Sequence, residues 1–386
     1  MPPGGKHSAI TVRPARGWRD MRAFIRLPHA IYADDPAWVP PLELERRLHL
    51  SKRFNPFFDH GEGELFIAWR DGVPVGRVSA QIDRLHLERY GDATGFFGHL
   101  EAHDDPAIFR VLLDATAAWL KERGMRHVRG PFSWNINQES GLLVAGFDTP
   151  PAFMMGHAKP YYDAHVRAAG MTGVMDLLAY DFTRDMHVPD KMRRFIQREK
   201  ERGTLRVRPL NKRRLKDELR LLRDIFNDAW AENWGFVPFT EREFMEMGRQ
   251  LSFLVSERDV AIASWKGEPA AMAVVMPDLN RYIADMNGRL APFNWLRLLY
   301  RLKFSGPPQR MRMPLMGVRR KFHNGLPGAM LALAVIDEVY TYNRDRGVGG
   351  AELSWVLETN SRVRHLIEGL GARPYKTYRL YERDIL

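Results

Sequence analysis

Residues 314–329 read PLMGVRRKFHNGLPGA, and they gather Gly317, Gly325 and Gly328 around Arg319, Arg320 and Lys321. A segment of this kind, set between a strand and a helix, binds an anion. The first N–H groups of a helix have no partner within it, glycine lets a phosphate approach the backbone, and the cations add charge. Val318, Arg319, Arg320, Gly325 and Gly328 are therefore candidates for holding a phosphate-bearing cofactor. His323 stands in the same turn, where an imidazole can take a proton or donate to a developing oxyanion; its plainer use is to brace the turn.

A second polar concentration lies in residues 130–162, GPFSWNINQESGLLVAGFDTPPAFMMGHAKPYY. It carries Ser133, Asn135, Asn137, Glu139, His157, Tyr161 and Tyr162 in a stretch punctuated by proline and glycine, which reads as a long structured loop. Glu139 and His157 are candidate bases for an ammonium or hydroxyl, and Asn137 and Tyr161 are candidate substrate contacts. Loop hydrogen bonding is the plainer use of each. Trp234, in the aromatic and polar segment 227–236, is a candidate wall of an acceptor pocket.

The elements that position these residues recur. Each half opens with a short strand ending in Arg-Pro, at 10–14 and 205–209. Each continues through helical segments to a hairpin, 65–80 with an Asp71-Gly72 turn and 260–276 with a Lys266-Gly267 turn. A long helix follows. In the first half Asp105 caps it, Pro106 starts it and Gly124 ends it; in the second it runs over 329–344 to Gly347. Each half closes with a helix, a glycine (Gly170, Gly371) and a Tyr-bearing strand. This repetition predicts two α/β domains, each a sheet with flanking helices: 1–185, with the polar loop 130–162, and 204–386, joined by a basic connecting helix over 186–203. The first-half counterpart of the anion turn, 99–105, carries Glu101, Asp104 and Asp105 and no glycine, so it would repel a diphosphate.

Composition narrows the class. With 386 residues and 45% hydrophobic content the chain can bury two cores. No cysteine is present, which excludes disulfides, a thiol nucleophile and Cys-bearing zinc sites; no metal is expected. The first ten residues lack an apolar core, so no secretory leader is expected, and no apolar run is long enough to span a bilayer. A net charge of +11 suits an anionic partner or a solvated basic surface. Residues 291–304 alternate large apolar residues with Arg297, Arg301 and Lys303, which reads as a surface helix or an interfacial one touching a membrane.

The 318–331 segment resembles the GNAT superfamily of acyl-CoA N-acyltransferases, whose signature is a Gln/Arg-x-x-Gly-x-Gly/Ala turn opening a helix. His323 stands at the Gln/Arg position, Leu326 at the first Gly and Gly328 at the second. Asn360 matches the Asn that starts the family's following helix, and Ile367 replaces its frequent general-acid Tyr. Nearly the whole chain resembles a bacterial family of tandem GNAT proteins, some of them ceramide synthases. The resemblance implies two GNAT-like domains in tandem and a fatty acyl transfer to an amine such as a sphingoid base. The donor would be acyl-CoA or an acyl carrier protein thioester held in the second domain with the help of Asn360. A cytoplasmic enzyme is expected, with peripheral contact at the inner membrane through 291–304 as an option. The alternatives are a tRNA-dependent aminoacyltransferase, although no clear nucleic-acid signal is present, and a non-catalytic acyl-CoA or lipid-binding scaffold.

Overall fold

A computed structural model describes residues 9–184 and 188–385. Among these residues thirteen strands are formed: β1 (Thr11–Pro14), β2 (Gly61–Arg70), β3 (Val73–Asp83), β4 (Thr94–Ala102), β5 (His127–Gly130), β6 (Leu142–Ala145), β7 (Thr172–Thr183), β8 (Leu205–Pro209), β9 (Val260–Trp265), β10 (Glu268–Pro277), β11 (Met311–Val318), β12 (Gly350–Leu357) and β13 (Arg373–Asp384). Both predicted hairpins are present. Asp71-Gly72 and Lys266-Gly267 close them with two successive positive φ angles, the turn that matches the twist of antiparallel strands.

The chain divides into two compact units that do not follow its halves in sequence. One holds residues 1–176, 283–290 and 377–386; the other holds 177–282 and 291–376. In the first, β1-β2-β3-β4-β5 is completed by the end of β13, with Tyr381 opposite Gly130 and Asp384 opposite His127. In the second, β8-β9-β10-β11-β12 is completed by the end of β7, with Leu177 opposite Leu357 and Tyr180 opposite Leu353. Each unit therefore borrows its last strand from the other half of the sequence. The boundary expected at 185/186 lies outside the described residues.

In each unit the helix that follows the strand–turn junction lies along the sheet. Pro106–Lys121 starts at Asp105, whose carboxylate accepts from Ala107 N–H at 2.8 Å, and it buries Phe109, Leu112 and Leu113. Leu326–Asp345 is apolar almost all round and buries Met330, Leu331, Val335, Ile336 and Val339. Ala261, Ala263, Ala271 and Ala273 present it with a flat sheet surface, so this helix is the centre of the second unit's core. The expected solvated connector forms the helix Asp190–Glu201, but it is part of this core, with Val188 and Ile196 buried.

Candidate functional site

β11 and β12 run parallel and stay in register only for Met311↔Ala351, Arg312↔Glu352 and Met313↔Leu353. Pro314 follows, with no N–H to continue the ladder, and beyond it β11 runs on to Val318 and β12 to Leu357 without pairing to each other. The strands part, and a cavity of about 630 Å³ opens between them. Pockets that take drug-sized ligands are roughly 300–1,000 Å³, so an acyl chain or a pantetheine arm fits.

A buried polar clamp holds the vertex of this fork. Arg312 and Glu352 are each 1% exposed and face each other across the middle of the three paired rungs, one step before the strands part. Ser354 Oγ accepts from Arg312 Nε at 3.2 Å and donates to the Glu352 carboxylate, and Tyr375 O–H donates to the other carboxylate oxygen. A buried ion pair satisfied this fully fixes geometry more than it adds stability.

At the far end, β11 leads through residues 319–325 into the Leu326–Asp345 helix. Gly325 caps that helix with φ of 100° and no side-chain hydrogen bond to its first turn. Gly328 packs against the chain, since a Cβ there would meet Phe322 O at 2.1 Å. Gly325, Gly328 and Ala329 line the cavity, so the helix start, whose first N–H groups have no side-chain cap, opens onto it.

The cationic run does not supply the charge there. Arg319 bonds Asp224 at 2.6 Å and Pro269 O at 2.9 Å; Arg320 pairs with Asp228 and Glu232; Lys321 pairs with Glu268. Neither Arg319 nor Arg320 lines the cavity. Arg362 does. It sits in the first turn of the Ser361–Gly369 helix, where the helix dipole disfavours a cation, and it donates to His323 O at 3.2 Å and Asn324 Oδ1 at 3.1 Å. Sequence reasoning passed over it, and the available signal was an arginine at the wrong end of a helix.

Val318, His323, Asn360, Trp234 and Ile367 also line the cavity. His323 Nε2 donates to Val318 O at 2.6 Å, which leaves Nδ1 as the basic nitrogen. Asn360 Oδ1 accepts from Val363 N–H at 3.2 Å and so caps its helix. Trp230 joins Trp234 in the wall and donates its indole N–H to Met316 O at 3.0 Å. Ile367 leaves the expected tyrosine position apolar.

The remaining candidates belong to the first unit. Glu139 accepts from Arg46 at 2.9 Å and from Ser133 Oγ at 3.2 Å. Burial pushes its pKa up, but Arg46 and His49 outweigh burial and hold it below the ordinary carboxylate range. His157 Nε2 meets Asp35 at 3.0 Å, Tyr161 O–H donates to Ala102 O at 2.8 Å, and Asn137 N–H donates to Asn135 Oδ1 at 3.1 Å. The polar loop also contains regular structure, with β6 pairing β13 at Leu143↔Tyr378. Among the described residues no cluster of three or more His, Asp or Glu is placed to hold a metal ion.

No protein-family profile matches the chain. It is 46% identical over 375 residues to Protein YghO of Escherichia coli, covering 97% of this chain and 95% of that protein. It is 41% identical over 386 residues to the bacterial ceramide synthase of Caulobacter vibrioides, covering 100% of both. Among solved structures, a tandem GNAT protein from the clavulanic acid biosynthesis pathway superposes with a TM-score of 0.55 at 14% identity, over 98% of this chain and 99% of that one. A GCN5-related N-acetyltransferase from Sphaerobacter thermophilus gives 0.54 at 13% identity, over 97% and 96%. At these identities the two structures are similar to this chain in fold.

Proposed function

The chain belongs to the bacterial ceramide synthase family and is an acyltransferase of tandem GNAT fold, and on that premise we propose that it transfers a long acyl chain from acyl-CoA to the amine of a sphingoid base. The observation that carries this reading is the open fork of β11 and β12 meeting an uncapped helix start. The fork takes the acyl-pantetheine arm and the helix start takes the diphosphate, with Arg362 beside it. The sphingoid acceptor is supported by the name of the Caulobacter relative. A carrier-protein donor gains no support.

The amine attacks the thioester carbonyl to give a tetrahedral oxyanion with a cationic nitrogen; that nitrogen loses its extra proton to solvent, the C–S bond breaks and the thiolate leaves as the amide is made. Holding both reactants in the fork removes most of the entropic cost of their meeting. The amine must be neutral to attack, and we assign its deprotonation to His323 through Nδ1. His323 is the one of the three proton-transfer candidates that lines the cavity. Glu139 and His157 remain the alternatives, and the corresponding Gln variants separate them. Thiols ionise at about pH 8.5, so a thiolate leaves near neutral pH without the tyrosine that Ile367 replaces.

Thiol release from a long-chain acyl-CoA, with and without a sphingoid base, tests this reading, with the product identified by mass spectrometry. Release that depends on the base and yields its N-acyl derivative is expected. Tight acyl-CoA binding with no amide formed from sphingoid bases would overturn the acceptor assignment.

A further inference from the structure

The segment read as a surface or interfacial helix forms the helix Asn294–Phe304 in the second unit, and its amphipathicity is reversed. Its inner face is held by half-buried Leu298 and Leu302 and by Arg301, which donates to Tyr282 O at 2.6 Å. The large apolar residues face water. Phe293 is 72% exposed, Tyr300 62% and Phe304 69%, and Trp295, Leu296 and Leu299 are each close to half exposed. At about 100° per residue these six side chains cover an arc of about 180°. Exposed Lys303 falls inside that arc and exposed Arg297 at its edge. Single exposed apolar residues are ordinary; a continuous exposed patch marks something that covers it.

We infer that this helix docks the protein on an anionic phospholipid bilayer, lying in the plane of the headgroups. Three observations select that occupant. The patch is aromatic and aliphatic with its cations within reach of a headgroup plane, where long side chains lift their charge to the surface while their stems stay in the apolar layer. The whole chain carries +11, so an anionic surface attracts it at long range. The helix has 11 residues, about 16 Å, against a hydrocarbon core of about 30 Å, and no helix among the described residues is long and apolar enough to cross it. An acidic protein partner would call for a mainly basic face, and this one is mainly apolar. The inference stands on the helix face and does not need the acceptor assignment.

The test is flotation of the full chain with vesicles of phosphatidylcholine alone and of phosphatidylcholine mixed with phosphatidylglycerol, at low and high salt. Binding to the mixed vesicles is expected, weaker at high salt. The double variant Leu296→Glu/Tyr300→Glu should partition about tenfold or more weakly. Both side chains point to solvent, so its melting temperature should match the wild type, which separates lost docking from lost folding. Lys303→Glu should weaken binding to the mixed vesicles only. Failure to float with either vesicle, equal flotation of the double variant, or capture of an acidic acyl carrier protein in place of vesicles would overturn the inference.

Discussion

The two strand–turn–helix junctions, β4 into Pro106–Lys121 and β11 into Leu326–Asp345, have the same outline and opposite chemistry. In the first unit the helix start is already occupied, because the Asp105 carboxylate accepts from Ala107 N–H. The first fork is occupied too. β4 and β5 pair through Phe96↔Arg129, and then Phe132 N–H bonds back to Phe97 O at 2.8 Å. Trp134 fills the space behind, stacked on Phe57, with its indole N–H on His49 O at 2.9 Å. In the second unit glycine replaces the carboxylate cap and the fork stays open. One scaffold thus gives a filled, self-capped unit and an open one, and a few residues at the junction decide which.

Breaking the open junction should have the largest effect. Gly328→Val forces a Cβ against the Phe322 carbonyl and should lower kcat/KM for acyl-CoA about 1,000-fold, ~4 kcal/mol. Next, His323→Gln should lower kcat about 100-fold, ~2.7 kcal/mol, with KM for the donor nearly unchanged, because glutamine can still donate to Val318 O but cannot take a proton. Arg362→Ala should raise KM for acyl-CoA about tenfold and weaken its salt dependence, while Arg319→Ala, whose charge is already paired, should not. On the closed side, Asp105→Ala should cost ~1 kcal/mol of stability, read as a lower Tm, with turnover unchanged.

The smallest effect sharpens the same contrast through pH. Burial depresses His29, His49, His86, His99 and His103, all in the first unit, with His49 pushed down to about 4 from an ordinary 6.5. An imidazole depressed in the folded state adds stability that is complete above its unfolded pKa. That stability is lost as pH falls from about 6.5 towards the folded value, because the unfolded chain takes the proton first. Glu101, raised by burial and close to Tyr32 and Tyr162, has the opposite sign above pH 4.5; with five depressed imidazoles against this one carboxyl, a net loss of a few degrees in Tm is expected between about pH 7 and pH 5. Hydrogen exchange should place the acid-induced opening in the first unit, and His49→Asn should reduce it.

Most of the architecture was legible because its signals are local. Asp-Gly and Lys-Gly turns, an Asp-Pro helix start and the glycines after helices each declare an element, and their recurrence declares two domains. The turn before the second long helix was legible for the same reason, since backbone geometry demands glycine at Gly325 and Gly328. What escaped is non-local. No periodicity says that Leu177 pairs with Leu357 or Tyr381 with Gly130. Nor could spacing show that Arg319 and Arg320 are neutralised by Asp224 and Asp228, or that Arg312 and Glu352 clamp the fork. Glu139 stood out as a carboxylate in a polar loop; its Arg46 partner lies far away in sequence.

The donor is expected to bind in the second unit alone. Isothermal titration with a non-hydrolysable long-chain acyl-CoA tests it directly, on the wild type and on Gly328→Val, with Tm measured alongside. One site per chain is expected in the wild type and none in Gly328→Val, titrated well below the variant's own lowered Tm. Two sites per chain, or binding that survives in Gly328→Val, would contradict it.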